Sequence, residues 1–147
     1  MAVKERKRQA TVIAGIEPYQ VQPDEEYMND NQREHFRKIL TIWREQLREE
    51  VENTVGHMKN EAANFPDEVD RASQEEEFAL ELRTRDRERK LIRKIEKTLA
   101  IIDSDDFGYC KKCGSEIGIR RLEARPTADL CVDCKELDEI KEKQHSE

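Results

Sequence analysis

Residues 65–72 of this chain read Phe65-Pro66-Asp67-Glu68-Val69-Asp70-Arg71-Ala72, and this stretch decides the fold. Pro66 has no backbone N–H and disfavours the α conformation in the residue before it, so one continuous helix through the stretch is not expected. Helix-like sequence lies on both sides, and two long helices joined by a short break fold back as an antiparallel hairpin. The stretch is therefore predicted to be a hairpin tip, and it carries three carboxylates.

The arm before the tip has apolar residues at steps of mostly three and four, which is the spacing of one helical stripe. They are Phe36, Ile39, Leu40, Trp43, Leu47, Val51, Val55 and Met58. This pattern predicts a helix from Asn31 to Asn60, with Asn29 or Asp30 as its N-terminal cap. At about 1.5 Å per residue the helix would be about 45 Å long.

The arm after the tip is predicted to run to about Ile102. Ser73 and Glu76 have the spacing of a capping box, and Asp70 is the alternative cap one turn earlier. The apolar stripe consists of Phe78, Leu82, Ile92, Ile95, Leu99 and Ile102. No large apolar residue occurs from 83 to 90, so this part of the arm is expected to pair loosely or to face another partner.

Charge is segregated along the second arm. Residues 67–77 hold six carboxylates and one arginine, whereas residues 83–97 hold eight basic and three acidic residues. A solvated helix usually interleaves its charges. The segregation therefore favours two different neighbours, one at the acidic tip and one at the basic base.

The composition limits the class of protein. With 35% hydrophobic and 41% charged residues the chain cannot fill a large globular core, but a coiled coil needs apolar residues only along a seam. No run approaches the ~18 apolar residues that span a bilayer, and Thr11–Ile16 is too short for a secretion signal, so a cytoplasmic protein without a membrane segment is predicted. The net charge of −7 argues against coating of a nucleic acid. No Gly-rich phosphate loop or nucleophile motif occurs, so an enzyme is not predicted.

Four cysteines form the strongest local motif, Cys110-x2-Cys113-x17-Cys131-x2-Cys134. Two CxxC pairs at this separation are typical of a four-cysteine zinc site, and a closed shell of four thiolates makes the zinc structural. A pair of redox-active CxxC motifs is the competing interpretation. The three histidines are predicted to be surface residues: His35, His57 and His145.

Basic residues surround this motif. They are Arg120, Arg121, Arg125 and Lys135, which would join Lys94 and Lys97 if the cysteine module folds against the hairpin base. Clustered Arg and Lys suit a polyphosphate ligand. The predicted organisation is a tail and irregular segment packing on the base (1–30), a hairpin (31–103) with its tip at 61–73, a zinc finger (104–134) and a C-terminal helix (135–147, helical from about Lys135 to Lys143).

Two blocks carry a resemblance, Glu61–Ala72 (EAANFPDEVDRA) and Gly118–Cys131 (GIRRLEARPTADLC). On the strength of these two blocks, the chain resembles the DksA/TraR family over about residues 13–143. The predicted fold is mainly α: a long antiparallel coiled-coil hairpin with a small four-cysteine zinc-finger module and a short C-terminal helix. The resemblance implies a monomeric transcription regulator that enters the secondary channel of bacterial RNA polymerase, without membrane or sequence-specific DNA binding. It would destabilise open promoter complexes and potentiate ppGpp at ribosomal RNA promoters, as in the stringent response.

The resemblance also implies roles for individual residues. The structural Zn²⁺ ligands are Cys110, Cys113, Cys131 and Cys134. The functional tip residues are Asp67, Asp70 and Ala72. The ppGpp contacts are Lys94, Arg125 and Lys135. Arg87 and Leu91 fall where the family contacts the polymerase rim, which would explain the gap in the apolar stripe.

Two alternative functions stay open at this point. The acidic tip could position Mg²⁺ in the polymerase, which would make the protein a transcript-cleavage factor. The cysteine module could instead be a zinc ribbon that binds DNA, although the net charge disfavours this reading.

Overall fold

The structure is a computed structural model that describes residues 13–62 and 68–145, with the backbone alone for 61, 62 and 68–70. The described helices are α1 (Asp30–Ala62), α2 (Glu68–Ile101), α3 (Ile119–Ala124) and α4 (Val132–His145). Within these residues the only β-type pairing is an isolated antiparallel bridge between Tyr109 and Glu116. The predicted mainly helical fold class is confirmed. None of the described helices is long and apolar enough to cross a membrane.

The start of helix α1 is capped by hydrogen bonds from neighbouring backbone N–H groups to the side chains of Asn29 and Gln32. The Asn29 side chain accepts a hydrogen bond from the Gln32 backbone N–H (2.9 Å), and the Gln32 side chain accepts one from the Met28 backbone N–H (2.6 Å). This reciprocal pair satisfies two backbone donors that a helix N-terminus otherwise leaves free. Of the two predicted caps, Asn29 is the one that the structure uses.

Helix α2 begins earlier than predicted. Its first residue is Glu68, so Ser73 and Glu76 lie on its exposed surface, and the predicted capping box is wrong. Asp70 lies inside the first turn and is not the cap either. Carboxylates are favourable in a first turn because of the helix dipole, so the acidic sequence after Pro66 suits a helix start there. Asp67 lies outside the described residues.

The two long helices pair in antiparallel fashion. Arg48 Nη2 lies 3.0 Å from Glu96 Oε1, and further along α1 His57 Nδ1 lies 3.3 Å from Glu81 Oε1. Residues further along α1 thus pair with residues earlier in α2, as expected for two antiparallel helices of a hairpin. The segment that joins them, residues 63–67, lies outside the described residues.

The hydrophobic core lies at the base of the hairpin, against the cysteine module. Its fully buried side chains include Phe36, Ile39, Leu40, Ile95, Ile102, Phe107 and Leu122. The rings of Phe36 on α1 and Phe107 in the module meet edge to face at 6.0 Å. Toward the tip, Val51 is the last buried apolar residue of α1 that the structure describes.

The gap in the apolar stripe of α2 is filled by polar side chains. Glu81, Arg85 and Glu88, hereafter the polar seam, continue the alternating steps of four and three between Phe78 and Ile92. All three are partly buried, and Glu81 Oε2, Arg85 Nε and Glu88 Oε2 are buried without a hydrogen-bond partner among the described residues. Burial and the nearby Glu50 carboxylate raise the pKa of Glu88.

One histidine is not a surface residue, contrary to the prediction. The His35 side chain is 13% exposed, and its Nε2 lies 2.6 Å from Oε1 of the buried Glu123. The same carboxylate oxygen accepts a hydrogen bond from the Tyr19 backbone N–H (2.7 Å), so the irregular segment before α1 is fastened to the base. His57 and His145 are exposed, as predicted.

Candidate metal centre and basic cleft

The four cysteines meet at one point. The Sγ atoms of Cys110, Cys113, Cys131 and Cys134 all lie within 4.8 Å of one another, and those of Cys113 and Cys131 are 3.6 Å apart. Zn–S bonds of about 2.3 Å in a tetrahedron place the sulfurs about 3.8 Å apart. The sulfurs therefore fit a tetrahedral zinc shell without any further ligand.

The first CxxC pair lies on a tight turn. The Gly114 N–H donates to the Cys110 carbonyl (2.9 Å), and the Cys110 N–H donates to the Ser115 carbonyl (2.8 Å). Gly114 has φ of +77°, a conformation that glycine adopts without strain. The turn brings both thiols to the same side of the backbone.

The second CxxC pair leads into α4. This helix begins at Val132, three residues before the predicted Lys135, so Cys134 lies in its first turn. The Lys135 N–H donates to the Cys131 carbonyl at 3.0 Å. Helical geometry therefore fixes the second pair of thiols.

The electrostatics of the cysteines favour a bound cation. Hydrogen bonds from the backbone N–H groups of Cys113 and Cys131 lower the pKa of Cys110 to about 6. The neighbouring sulfurs of Cys131 and Cys110 raise the pKa of Cys134 to about 12. Four crowded sulfurs become thiolates together only when a positive charge neutralises their repulsion. A divalent metal supplies that charge, and a closed four-thiolate shell would give it a structural role.

A second feature lies between the hairpin base and the cysteine module. This is a cleft of about 1310 Å³, hereafter the basic cleft, whose basic lining residues are Lys94, Lys97, Lys111, Arg121, Arg125 and Lys135. The structure thus brings together the three predicted ppGpp residues from α2, from the residue after α3 and from α4. Trp43 and Leu91 add apolar surface to the same cleft.

The cations of the basic cleft are not equivalent. Lys111 pairs with Asp129 (Nζ to Oδ2, 3.0 Å), and the Arg121 Nε–H donates to the Leu130 carbonyl (3.1 Å). The other four basic lining residues form no ion pair among the described residues; they are Lys94, Lys97, Arg125 and Lys135. Their charges are therefore the ones most available to an anionic ligand.

The observed cleft differs from the predicted basic cluster at two residues. Arg120 belongs to the predicted cluster, but it is exposed and does not line the cleft. Lys111 lines the cleft although it is not in the predicted cluster, and its position directly after Cys110 is the signal that could identify it.

The other predicted site residues lie along α2. Asp70 is in its first turn, with its side chain outside the described part, and Ala72 is exposed two residues later. Arg87 is exposed on the arm, whereas Leu91, one turn closer to the base, packs against the core and lines the basic cleft.

The fold and the site define a class: a protein with a long antiparallel helical hairpin whose base carries a four-cysteine metal module. Residues 32–102 match the family described as DnaK suppressor protein DksA, N-terminal domain. Residues 105–139 match the prokaryotic dksA/traR C4-type zinc finger. The chain belongs to the DksA/TraR family. The matched zinc finger and the clustered sulfurs together support structural zinc.

Individual proteins agree with this assignment. The chain is 73% identical over 132 residues to the RNA polymerase-binding transcription factor DksA of Escherichia coli (strain K12), covering 90% of this chain and 87% of that protein. Identity to the protein of the same name from Haemophilus influenzae is 68%, covering 90% and 91% of the two chains. The solved structure of transcription factor DksA2 from Pseudomonas aeruginosa superposes with a TM-score of 0.75 at 39% identity, covering 83% of this chain and 94% of that one.

Proposed function

We propose that this protein is a cytoplasmic transcription regulator that binds bacterial RNA polymerase and has no enzymatic activity of its own. The observation that carries the proposal is the 73% identity to a protein named for RNA polymerase binding. That alignment covers 132 residues of this chain, so it includes most of the hairpin and the module together.

The dimensions of the hairpin support entry into the secondary channel of the polymerase. Helices α1 and α2 contain 33 and 34 residues, which corresponds to about 50 Å at about 1.5 Å per residue. The buried core lies at the base, so the distal arms are thin enough to enter a protein pore. In the proposed mechanism Asp67 and Asp70 reach the neighbourhood of the active site and destabilise the open promoter complex.

The basic cleft supports ppGpp as the effector, bound at the interface with the polymerase. Polyphosphates are recognised by converging Arg and Lys side chains, and Arg binds phosphate in bidentate fashion. Lys94, Arg125 and Lys135 line one cleft although they come from three separate elements. Apolar surface from Trp43 and Leu91 is suited to a nucleoside.

Asp70→Asn tests the acting tip, because it removes a charge and barely changes volume. We expect the variant to compete for polymerase as well as the wild type and to fail to inhibit transcription from a ribosomal promoter. Glu76→Gln, on the exposed surface of α2, is the matched control and should inhibit normally. Loss of polymerase binding by Asp70→Asn would refute the division between a binding base and an acting tip.

Lys94→Ala tests the effector site in the same transcription assay. Losing a charged contact to phosphate should raise the ppGpp concentration for half-maximal effect by about tenfold or more. Lys90→Ala, one turn away and outside the cleft, is the control. An unchanged ppGpp response of Lys94→Ala would exclude the cleft as the ppGpp site.

A cleavage assay tests the absence of enzymatic activity. Stalled, backtracked transcription complexes are incubated with the protein and Mg²⁺, and we expect no accelerated shortening of the RNA. Rapid shortening that depends on Asp70 would identify a transcript-cleavage factor instead.

A further inference from the structure

The two walls of the basic cleft belong to different parts of the chain. Lys94 lies on α2, whereas Arg125 and Lys135 lie on the cysteine module and the helix that leaves it. A ligand that needs cations from both walls binds only when the module is held at a fixed distance from α2. The apolar packing between the module and the hairpin base and the polar contacts that dock the module therefore set the shape of the cleft together.

Tyr27, three residues before α1, makes such a contact with a single hydroxyl group. The hydroxyl donates to the Gly108 carbonyl (2.6 Å) and accepts a hydrogen bond from the Gly118 N–H (2.9 Å). Gly108 and Gly118 stand at the two ends of the loop that contains Cys110 and Cys113. The Gly108 carbonyl also accepts from the Ile117 N–H (2.8 Å), so the backbone closes the loop and the phenol links both of its ends to the residues before the hairpin.

The Gly118 contact also orients α3. Gly118 is the N-cap of α3, has φ of +98° and has no side chain that could cap the helix. The N–H of an N-cap residue is normally satisfied by a Glu or Gln side chain at the third helical position, which is Arg121 here. Here Tyr27 provides the acceptor, so the direction of α3, and with it Arg125, depends on the phenol.

The surroundings of the phenol leave it little freedom. The Tyr27 ring meets the Tyr109 ring edge to face, with centroids 5.5 Å apart, and Tyr109 lines the basic cleft. A Cβ atom on Gly108 would lie 3.1 Å from the Tyr27 hydroxyl. Burial raises the pKa of Tyr27, so the hydroxyl keeps its proton at neutral pH and continues to donate to Gly108.

We propose that Tyr27 is a positioning residue of the basic cleft. Its hydroxyl holds the cysteine module against the hairpin base at the distance where Lys94 and Arg125 can bind one polyphosphate ligand together. The identity of that ligand rests on the proposed function, whereas the positioning is a property of the protein alone and can be measured without a ligand.

The first measurement compares Tyr27→Phe with the wild type by NMR of the zinc-loaded full chain. We expect the residual dipolar couplings of α2 and α4 to report a changed relative orientation, and the Gly118 amide to exchange with solvent about fivefold faster or more, since one hydrogen bond is lost. Tyr19→Phe is the matched control, because its hydroxyl contacts Glu25 and not the module. Unchanged couplings and exchange in Tyr27→Phe would overturn the proposal.

The second measurement is the ppGpp concentration for half-maximal inhibition in the transcription assay. Tyr27→Phe should need about five to twenty times more ppGpp, the range expected for losing one or two hydrogen bonds. Inhibition at saturating ppGpp should return to the wild-type level, which general unfolding would not allow. If the couplings change but the ppGpp requirement does not, Tyr27 positions the module without serving the ligand, and the proposal is wrong. If ppGpp has no effect on inhibition by the wild type but the couplings change in Tyr27→Phe, the proposed effector is wrong and the positioning role stands.

Discussion

Replacing Glu88 with leucine is expected to stabilise the protein. Glu88 belongs to the polar seam, and its Oε2 is buried without a hydrogen-bond partner among the described residues. Burial and the Glu50 carboxylate raise its pKa, which means that the folded chain disfavours the charged form. A leucine at this seam position would pack without that penalty.

The size of the expected gain in stability depends on how completely Glu88 is buried. Removing an unsatisfied buried polar atom is worth about 1–3 kcal/mol when burial is complete. Glu88 is only partly buried and its aliphatic stem already packs in the seam, so we expect a net gain of about 1–2 kcal/mol in the free energy of unfolding. For a chain of this size the gain corresponds to a rise of about 3–6 °C in Tm.

The assay is thermal unfolding followed by circular dichroism at 222 nm, with Glu76→Leu on the exposed surface of α2 as the control. Most exposed substitutions change stability by less than about 0.5 kcal/mol. The pH dependence gives a second check with Glu88→Gln. The folded-state pKa of Glu88 lies above its unfolded value of 4.5, so the cost of the charge is complete once the pH exceeds the folded-state pKa and disappears as the pH falls below 4.5. Two results would refute the reasoning. One is a lower Tm for Glu88→Leu than for the wild type, and the other is a difference in Tm between Glu88→Gln and the wild type that does not change with pH.

Two further predictions concern the cysteine module. Gly108→Ala should lower the free energy of unfolding by about 2–4 kcal/mol, because φ is +88° and the new Cβ would meet Met28 Cγ at 2.8 Å. Urea titration measures the stability of this variant and of Gly114→Ala. Gly114 has φ of +77° but open space around it, so Gly114→Ala isolates the contribution of the backbone conformation. An equal loss of stability in both variants would contradict the clash. Removal of zinc by a strong chelator should shift the fluorescence of the single tryptophan, Trp43, because this side chain lines the cleft beside the module. The ellipticity at 222 nm should fall by less than about a quarter, because α3 and α4 contain 6 and 14 residues whereas the hairpin helices contain 33 and 34. A larger loss of ellipticity would show that the hairpin also needs the metal to fold.

The features that depend on local chemistry could be predicted from sequence. The start of α1 was placed within one residue because Asn29 caps it through a contact three residues away. The start of α2 was misplaced because Ser73 and Glu76 have capping-box spacing, and polar residues at that spacing also occur on the exposed face of a helix interior. A local motif cannot distinguish these two environments.

The features that depend on distant partners could not be predicted from local pattern. His35 is mostly covered because Glu123, 88 residues later, folds against it. The polar seam was missed because a count of apolar residues ignores the aliphatic stems of Glu and Arg, which can occupy a seam while their charged ends reach toward water. The basic cleft joins residues from α2 to α4, and the clustering of basic residues around the cysteine motif, not periodicity, is what groups Lys94 with Arg125.

The polar seam also bears on the proposed function, because polar residues in a seam can fix the register of the two arms. Lys94 and Asp70 lie on one unbroken helix, 24 residues apart, which corresponds to about 36 Å. A uniform leucine seam would be more stable but could slip by a heptad, which would move the end of the arm by about 10 Å. Polar residues at single seam positions specify register in coiled coils. If the hairpin places Asp70 inside the polymerase, as proposed, it needs a unique register more than it needs maximal stability, and we expect the polar seam to serve that requirement.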